Sequence, residues 1–315
     1  MFRACVISLL LLSSSKATFA EILREKIQQR LARPLPGSEF LKADSSAPEF
    51  VPVPAGVRVE HNIAYGADAN QKFDVYLPEK PDNAPVIFMV HGGAWQFGNK
   101  ANRYVVENKV ARWVPKGFIF ISADYRMIPN ADPVEQARDI ARAVALAQSK
   151  AHSWGADSNQ FILMGHSAGA HLVALLATGN SLSAGLAIKS WLGIVSLDSG
   201  AYDVVQIMEK PHFPLYDNAF GSDKNFWISA SPFYALTKQT RPILAVCSSR
   251  RPDSTTQAHR FAEKAASLGV KVTVLEKDYS HMEINSLLGR DESYTSAVES
   301  FMSSLSPRLA GILKK

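Results

Sequence analysis

Phe161-Ile162-Leu163-Met164-Gly165-His166-Ser167-Ala168-Gly169-Ala170-His171-Leu172-Val173-Ala174-Leu175-Leu176 is the stretch that decides the fold. Its first four residues are an apolar run closed by glycine, the pattern of a buried strand. Its Ala/Leu-rich second half is the pattern of a buried helix. Between them Gly165-His166-Ser167-Ala168-Gly169 reads G-x-S-x-G. So tight a turn holds its serine in a strained conformation and leaves no room for side chains two residues to either side. The Ser167 hydroxyl is thereby lifted to the sheet edge, and the Ala168 N–H and the positive end of the helix face the same place. Serine in this context is a nucleophile rather than an incidental turn residue.

Working outward, strands and helices alternate on both sides of this turn. Upstream, Val57–Ala64 and Lys72–Leu77 read as two strands around a polar turn, Val86–Val90 and Phe118–Ser122 as further strands, and Asn102–Trp113 as a helix. Asp132–Lys150 carries a full helix signature, with Asp132 as cap, Pro133 in first position, and Val134, Ala137, Ile140, Ala141 and Val144 on one face. Downstream, Ser190–Leu197, Ile243–Cys247 and Val270–Leu275 read as strands, with helices at Thr255–Leu268 and Tyr294–Leu305. Such alternation requires an α/β fold, a mostly parallel sheet covered by helices on both faces, with ligands at the carboxyl ends of its strands. Residues 199–240 break the rhythm with an aromatic-rich insertion, where a lid or pocket wall would sit and where ordinary packing is the equal alternative. The domain plan is thus 1–20 as a leader, 21–56 as an N-terminal helix and Pro-rich linker, and 57–315 as the α/β domain.

The chain has 315 residues, 47% hydrophobic and 20% charged, enough for one large domain with a sizeable core. A net charge of +5 without a dense Lys/Arg block, and no nucleic-acid motif, argue against a nucleic-acid partner. Arg3, the apolar Ala4–Leu12 and Thr18-Phe19-Ala20 before Glu21 form a secretory signal pattern, so the mature protein is expected to be exported, periplasmic or secreted. Cys5 leaves with that signal, and Cys247, at the end of a strand, is a small buried side chain with no partner for a disulfide. Glu21–Leu31 has amphipathic spacing and basic residues, which makes it the one segment suited to touching a membrane surface, although docking on the body is the commoner outcome.

His91-Gly92-Gly93-Ala94-Trp95 directly follows the strand Val86–Val90. The glycines let backbone lie against a substrate, and a tight turn can aim the N–H groups of Gly93 and Ala94 at a carbonyl oxygen. Together with the Ala168 N–H they would form an oxyanion hole. H-G-G-x-W followed by G-H-S-A-G, with Ala123-Asp124-Tyr125-Arg126 between, resembles the α/β-hydrolase superfamily. Within it the chain is most similar to the esterase/lipase branch, the hormone-sensitive-lipase-like and kynurenine-formamidase-like carboxylesterases. The resemblance runs from about Val57 to the C-terminus, with Ala94 in place of the third glycine of the hormone-sensitive-lipase pattern. It implies the α/β-hydrolase fold and a serine hydrolase whose triad runs serine, acid, histidine.

A serine needs a base to be a useful nucleophile. His281, in Asp278-Tyr279-Ser280-His281 after the last strand, occupies the loop where the family carries its histidine. For the acid, Asp253 is the leading candidate. It follows the strand ending at Cys247 and precedes Ser254-Thr255-Thr256-Gln257, which reads as a capping box opening a helix. Asp253 also suits the positive end of that helix without any catalytic role, and Asp198 and Asp203 are its rivals. The expected chemistry is hydrolysis of short-chain or aryl carboxylic esters through an acyl-enzyme, with an arylformamidase-type amide substrate as the alternative within the class. A non-catalytic binding protein on the same scaffold is the alternative outside it. The partner is a small-molecule ester or amide, and no metal or cofactor is called for.

Overall fold

The structure is a computed structural model and describes residues 51–314. The leader, the N-terminal helix and most of the Pro-rich linker expected from the sequence therefore lie outside the described residues. Apolar strands segregate into one eight-stranded sheet of order β1-β2-β4-β3-β5-β6-β7-β8. Its strands are β1 (Arg58–Ala64), β2 (Lys72–Leu77), β3 (Ala84–Val90), β4 (Ile119–Ala123), β5 (Ala156–His166), β6 (Gly193–Leu197), β7 (Ile243–Ser248) and β8 (Val272–Lys277). β1 and β2 are antiparallel additions to one edge, and β3 through β8 are parallel. This is the α/β-hydrolase fold.

Because successive side chains of a strand point to opposite faces, each central strand feeds two cores. In β3, Val86, Phe88 and Val90 join one apolar cluster while Ile87 and Met89 join the other. The first face is covered by α2 (Pro133–Lys150), α3 (Ala168–Thr178) and α8 (Pro252–Ser267), through Ile140, Val144, Leu172 and Phe261 among others. The second is covered by α1 (Arg103–Trp113) and α10 (Glu292–Leu305), through Val106, Val110, Val298 and Met302. α2 starts where its sequence signature places it, with Asp132 Oδ1 accepting from the N–H groups of Val134 and Glu135 at 2.9 Å each.

Between β6 and β7 run four short helices among the described residues, α4 (Val204–Met208), α5 (Pro214–Phe220), α6 (Lys224–Ser229) and α7 (Pro232–Ala235). Several aromatic residues of this insertion are packed into the core, while Phe213 and Tyr234 stay exposed. Tyr202, Phe220 and Trp227 are buried in the first cluster, and the Trp227 Nε1–H is taken up by the carbonyls of Phe220 and Gly221 at 3.2 and 3.1 Å. Past β8 lie α9 (His281–Ser286) and, at the end of the described chain, α11 (Pro307–Leu313), neither of which the apolar periodicity had indicated.

Candidate active site

Five neighbouring parallel strands end on the same edge, so the loops after β3, β5, β6, β7 and β8 meet there. The turn after β5 is as strained as its sequence requires. Ser167 has φ 55° and ψ −118°, in a region that side chains enter only under constraint. A Cβ on Gly165 would stand 2.3 Å from the Gly169 carbonyl oxygen, and one on Gly169 would stand 2.3 Å from that of Val90. Within Gly165–Gly169 only Ser167 escapes burial. Its N–H donates to the Leu197 carbonyl at 2.9 Å, which locks the turn to the end of β6.

The loop after β3 lies against this turn, since a Cβ on Gly92 would be 3.0 Å from Ser167 Cβ. Gly93, Ala94 and Trp95 all have positive φ, at 116°, 51° and 63°. Ala94 and Trp95 keep that strained backbone because it is held from several sides. The Gly93 carbonyl accepts from Gln96 and Phe97 N–H groups at 3.0 and 2.9 Å. The Trp95 carbonyl accepts from Ile128 N–H at 3.0 Å and from Gln136 Nε2 at 2.9 Å. The Trp95 indole donates to His171 Nδ1 at 3.1 Å, and His171 Nε2 donates to the Ala230 carbonyl at 2.7 Å, which ties the loop to the nucleophile helix and the insertion. The N–H groups of Gly93, Ala94 and Ala168 take no backbone acceptor among the described residues.

His281 stands in the first turn of α9, whose capping box is complete. Ser280 Oγ accepts from Glu283 N–H, and Glu283 Oε2 accepts from Ser280 N–H at 2.7 Å. The far end of α9 is held by Lys109, whose Nζ donates to Asn285 O and Oδ1 at 2.7 and 2.8 Å. Burial pushes the Lys109 pKa down to about 7. His281 is thereby brought to the nucleophile turn. Its ring lies 4.5 Å, centroid to centroid, from that of His166, and His166 Nε2 donates to the His281 carbonyl at 3.0 Å.

The carboxylate on His281 Nδ1 is that of Asp198, through Oδ2, and not that of Asp253. Asp198 is the first residue beyond β6, fully buried and in a left-handed conformation with φ 53°. Its other oxygen, Oδ1, accepts from Ser248 N–H at 3.0 Å and Ser254 Oγ at 2.5 Å. Asp253 instead falls inside the first turn of α8, exposed, because that helix starts at Pro252 rather than at Thr255. The expected capping box at Ser254–Gln257 does not form. Ser254 serves Asp198, and Gln257 Oε1 accepts from the N–H groups of Tyr202 and Asp203 at 3.0 and 2.7 Å. Asp203 caps α4 and pairs with Arg260 at 3.2 Å. The sequence signal that marks Asp198 is its place directly after the strand paired with β5.

The loop after β7 contributes a cation that sequence reasoning had passed over. Arg251 Nη1 donates to Asp198 Oδ2 at 2.6 Å and lies 2.5 Å from His281 Nδ1. Burial opposes ionisation of Asp198, but the hydrogen bond and charge of His281, the charge of Arg251 and the Ser254 hydrogen bond hold its pKa well below the usual carboxylate range. Burial and the charge of Arg251 push the His281 pKa down to about 4, against the pull of Asp198. The ring is therefore neutral at neutral pH, with Nδ1–H toward Asp198 and Nε2 as the unprotonated nitrogen. A strained serine, a neutral imidazole held by a buried carboxylate and a loop of unpaired N–H groups together equip the site for nucleophilic attack on a carbonyl. Among the described residues no group of three or more His, Cys, Asp and Glu side chains is arranged to hold a metal ion.

The BD-FAE family model matches residues 73–264. A probable isoprenylcysteine alpha-carbonyl methylesterase of Oryza sativa subsp. japonica is 28% identical over 165 residues, 49% of this chain and 38% of that protein. The chain thus spans well under half the length of that plant relative. Kynurenine formamidase of Danio rerio is 28% identical over 243 residues, 74% of this chain and 78% of that protein. Among solved structures, esterase B from Lactobacillus rhamnosus (HN001) superposes with a TM-score of 0.66 at 17% identity, covering 93% of this chain and 96% of that one.

Proposed function

The chain belongs to the BD-FAE family, and from that premise we propose that it is an exported serine esterase hydrolysing short-chain or aryl carboxylic esters through an acyl-enzyme. The observation that carries this reading is the Asp198 carboxylate on His281 Nδ1, with the His281 ring beside the turn that presents Ser167. Ser167 Oγ attacks the ester carbonyl carbon while His281 Nε2 takes its proton. The oxygen that becomes negative is received by the N–H groups of Gly93, Ala94 and Ala168, fixed donors that need no reorganisation as charge develops. The imidazolium then returns its proton to the departing alcohol oxygen. A water molecule, deprotonated by His281, attacks the acyl-enzyme, and the imidazolium hands that proton to Ser167 Oγ as the carboxylic acid leaves. Asp198 keeps Nδ1 protonated and stabilises the imidazolium throughout.

A formamide substrate is the second reading, favoured by the likeness to the Danio rerio formamidase over 74% of this chain. The same groups would cleave an N-formyl bond, with the amine leaving in place of the alcohol. Labelling by a fluorophosphonate probe tests the enzyme reading directly. The wild type is expected to label, and Ser167→Ala to lose both the label and about 10⁵-fold or more of its activity. An unlabelled wild type would favour a binding protein on the same scaffold. Rates on short p-nitrophenyl esters against N-formyl anilides separate the two substrate readings. N-terminal sequencing of the exported protein, with Glu21 as the expected first residue, tests the leader.

A further inference from the structure

Arg251 is a costly neighbour for the chemistry proposed above. Asp198 is already served by His281, Ser248 N–H and Ser254, so it does not need a fourth donor. A guanidinium nitrogen 2.5 Å from His281 Nδ1 also opposes the imidazolium that must form in the transition state. A cation placed there calls for a use that offsets this.

Its free edge supplies one. Among the described residues Arg251 is engaged through Nη1, which donates to Asp198 and lies beside His281, and Nε and Nη2 carry no hydrogen bond. The side chain is 35% exposed although the carboxylate it pairs with is fully buried. Nη2 and the Tyr216 hydroxyl converge on one spot. A Cβ added to Gly200 would lie 3.1 Å from Tyr216 Oη and 3.5 Å from Arg251 Nη2. Glycine at 200 leaves that spot open, and the Tyr216 hydroxyl also lacks a hydrogen-bond partner among the described residues. The Tyr216 ring in turn packs 6.0 Å from the Trp95 ring of the loop after β3. Arg251 thus touches the histidine–aspartate couple while Tyr216 packs on the loop after β3.

We propose that Arg251 and Tyr216 form an anion subsite, and that the preferred substrate is an ester carrying a carboxylate on its acyl or alcohol part. This rests on the esterase reading and deepens it. The outer edge of a guanidinium matches a carboxylate in planar, two-point geometry, and the Tyr216 hydroxyl adds a third donor. A bound carboxylate also offsets the charge of Arg251 beside His281. An anionic substrate thereby eases formation of the imidazolium, and the benefit enters kcat as well as KM.

The test uses two matched ester pairs, mono-p-nitrophenyl adipate against p-nitrophenyl hexanoate for the acyl side, and 4-carboxyphenyl acetate against phenyl acetate for the alcohol side. Each is corrected for spontaneous hydrolysis. The wild type is expected to favour the anionic member of one pair in kcat/KM by about tenfold or more, the scale of a charged hydrogen-bonded contact. Arg251→Met is expected to abolish that preference, Arg251→Lys to retain part of it, and Tyr216→Phe to reduce it about threefold. The neutral ester, measured in the same variant, corrects for any disturbance of the triad. A wild type that prefers the neutral member of both pairs overturns the proposal, as does a preference unchanged in both Arg251→Met and Tyr216→Phe. Should Arg251→Met fail to fold, the wild-type preference and Tyr216→Phe still decide. Hydrolysis of neutral esters with no anionic preference removes only this inference, whereas absence of both hydrolysis and probe labelling removes the esterase reading with it.

Discussion

The two halves of the site are built differently. On the β3–β5 side the candidate groups are backbone atoms and one serine, and each belongs to a short contiguous motif, His91–Trp95 or Gly165–Gly169. Their geometry is a matter of local dihedrals, held by hydrogen bonds such as those on the Gly93 and Trp95 carbonyls. On the β6–β8 side the candidate groups are the side chains of Asp198, Arg251 and His281, one following each of three strands. No motif contains them. Their meeting depends on the parallel register of β6, β7 and β8 and on where each strand stops. A site half made of backbone strain can be read from a few residues, while a site half made of converging side chains must be assembled before it can be read.

The sharpest way to break this contrast is to move the acid. Asp198→Asn is expected to lower kcat on a neutral ester by about 10⁴-fold with the fold intact, because an amide can donate to Nδ1 and stabilise the wrong tautomer. If Asp198→Asn retained near-normal turnover, the assignment of the acid to the β6 loop would be lost. Ser254→Ala tests the support beneath it. Removing the 2.5 Å hydrogen bond to Asp198 Oδ1 should cost about tenfold in kcat with little change in KM. Unchanged kinetics would show that Ser248 N–H alone positions the carboxylate.

Acid pH probes both halves at once, since each contains a buried neutral histidine. His281 and His171 are both pushed down to about 4 from an ordinary 6.5, chiefly by burial. As the proposed general base His281 must be unprotonated, so kcat/KM is expected to hold from neutrality down to about pH 5 and to fall near 4. The unfolded chain takes up protons on these rings at 6.5 and the folded chain only near 4. Their contribution to stability is thus fully present above 6.5 and lost as pH falls through about 4, visible as a declining Tm. A Tm that stays level from pH 7 to 4 would refute the buried-neutral assignment. The smallest expected effect is that of Asp253→Asn. An exposed residue in the first turn of α8 should change turnover of a neutral ester by less than about twofold. A loss comparable to that of Asp198→Asn would return the acid to the β7 loop.

The strand–helix alternation, the Asp132-capped helix and the buried β3 were legible because each is a short-range pattern of apolar period and capping chemistry. The sequence singled out His281 by its place after the last strand, and the structure sets its ring beside the serine turn, but the helix it opens was not legible, being only six residues long. The exchange of Asp253 for Asp198 has a definite cause. Pro252 begins α8 a turn early and carries Asp253 onto an exposed helical surface, while Ser254 and Gln257, which look like a cap, turn instead to Asp198 and the β6 loop. The Arg251 guanidinium carried no sequence signal, since an arginine in a loop is ordinarily a solvated surface charge.

What the sequence by itself determined is the class of fold and the strained serine turn, because apolar periodicity, glycines without space for a Cβ and helix caps act over a handful of residues. What only the tertiary structure decided is which carboxylate meets the imidazole and that a guanidinium joins them. Those contacts cross 83 positions for Asp198 and 30 for Arg251, and only strand register and loop length, set by the whole sheet, bring such distant side chains within hydrogen-bond reach.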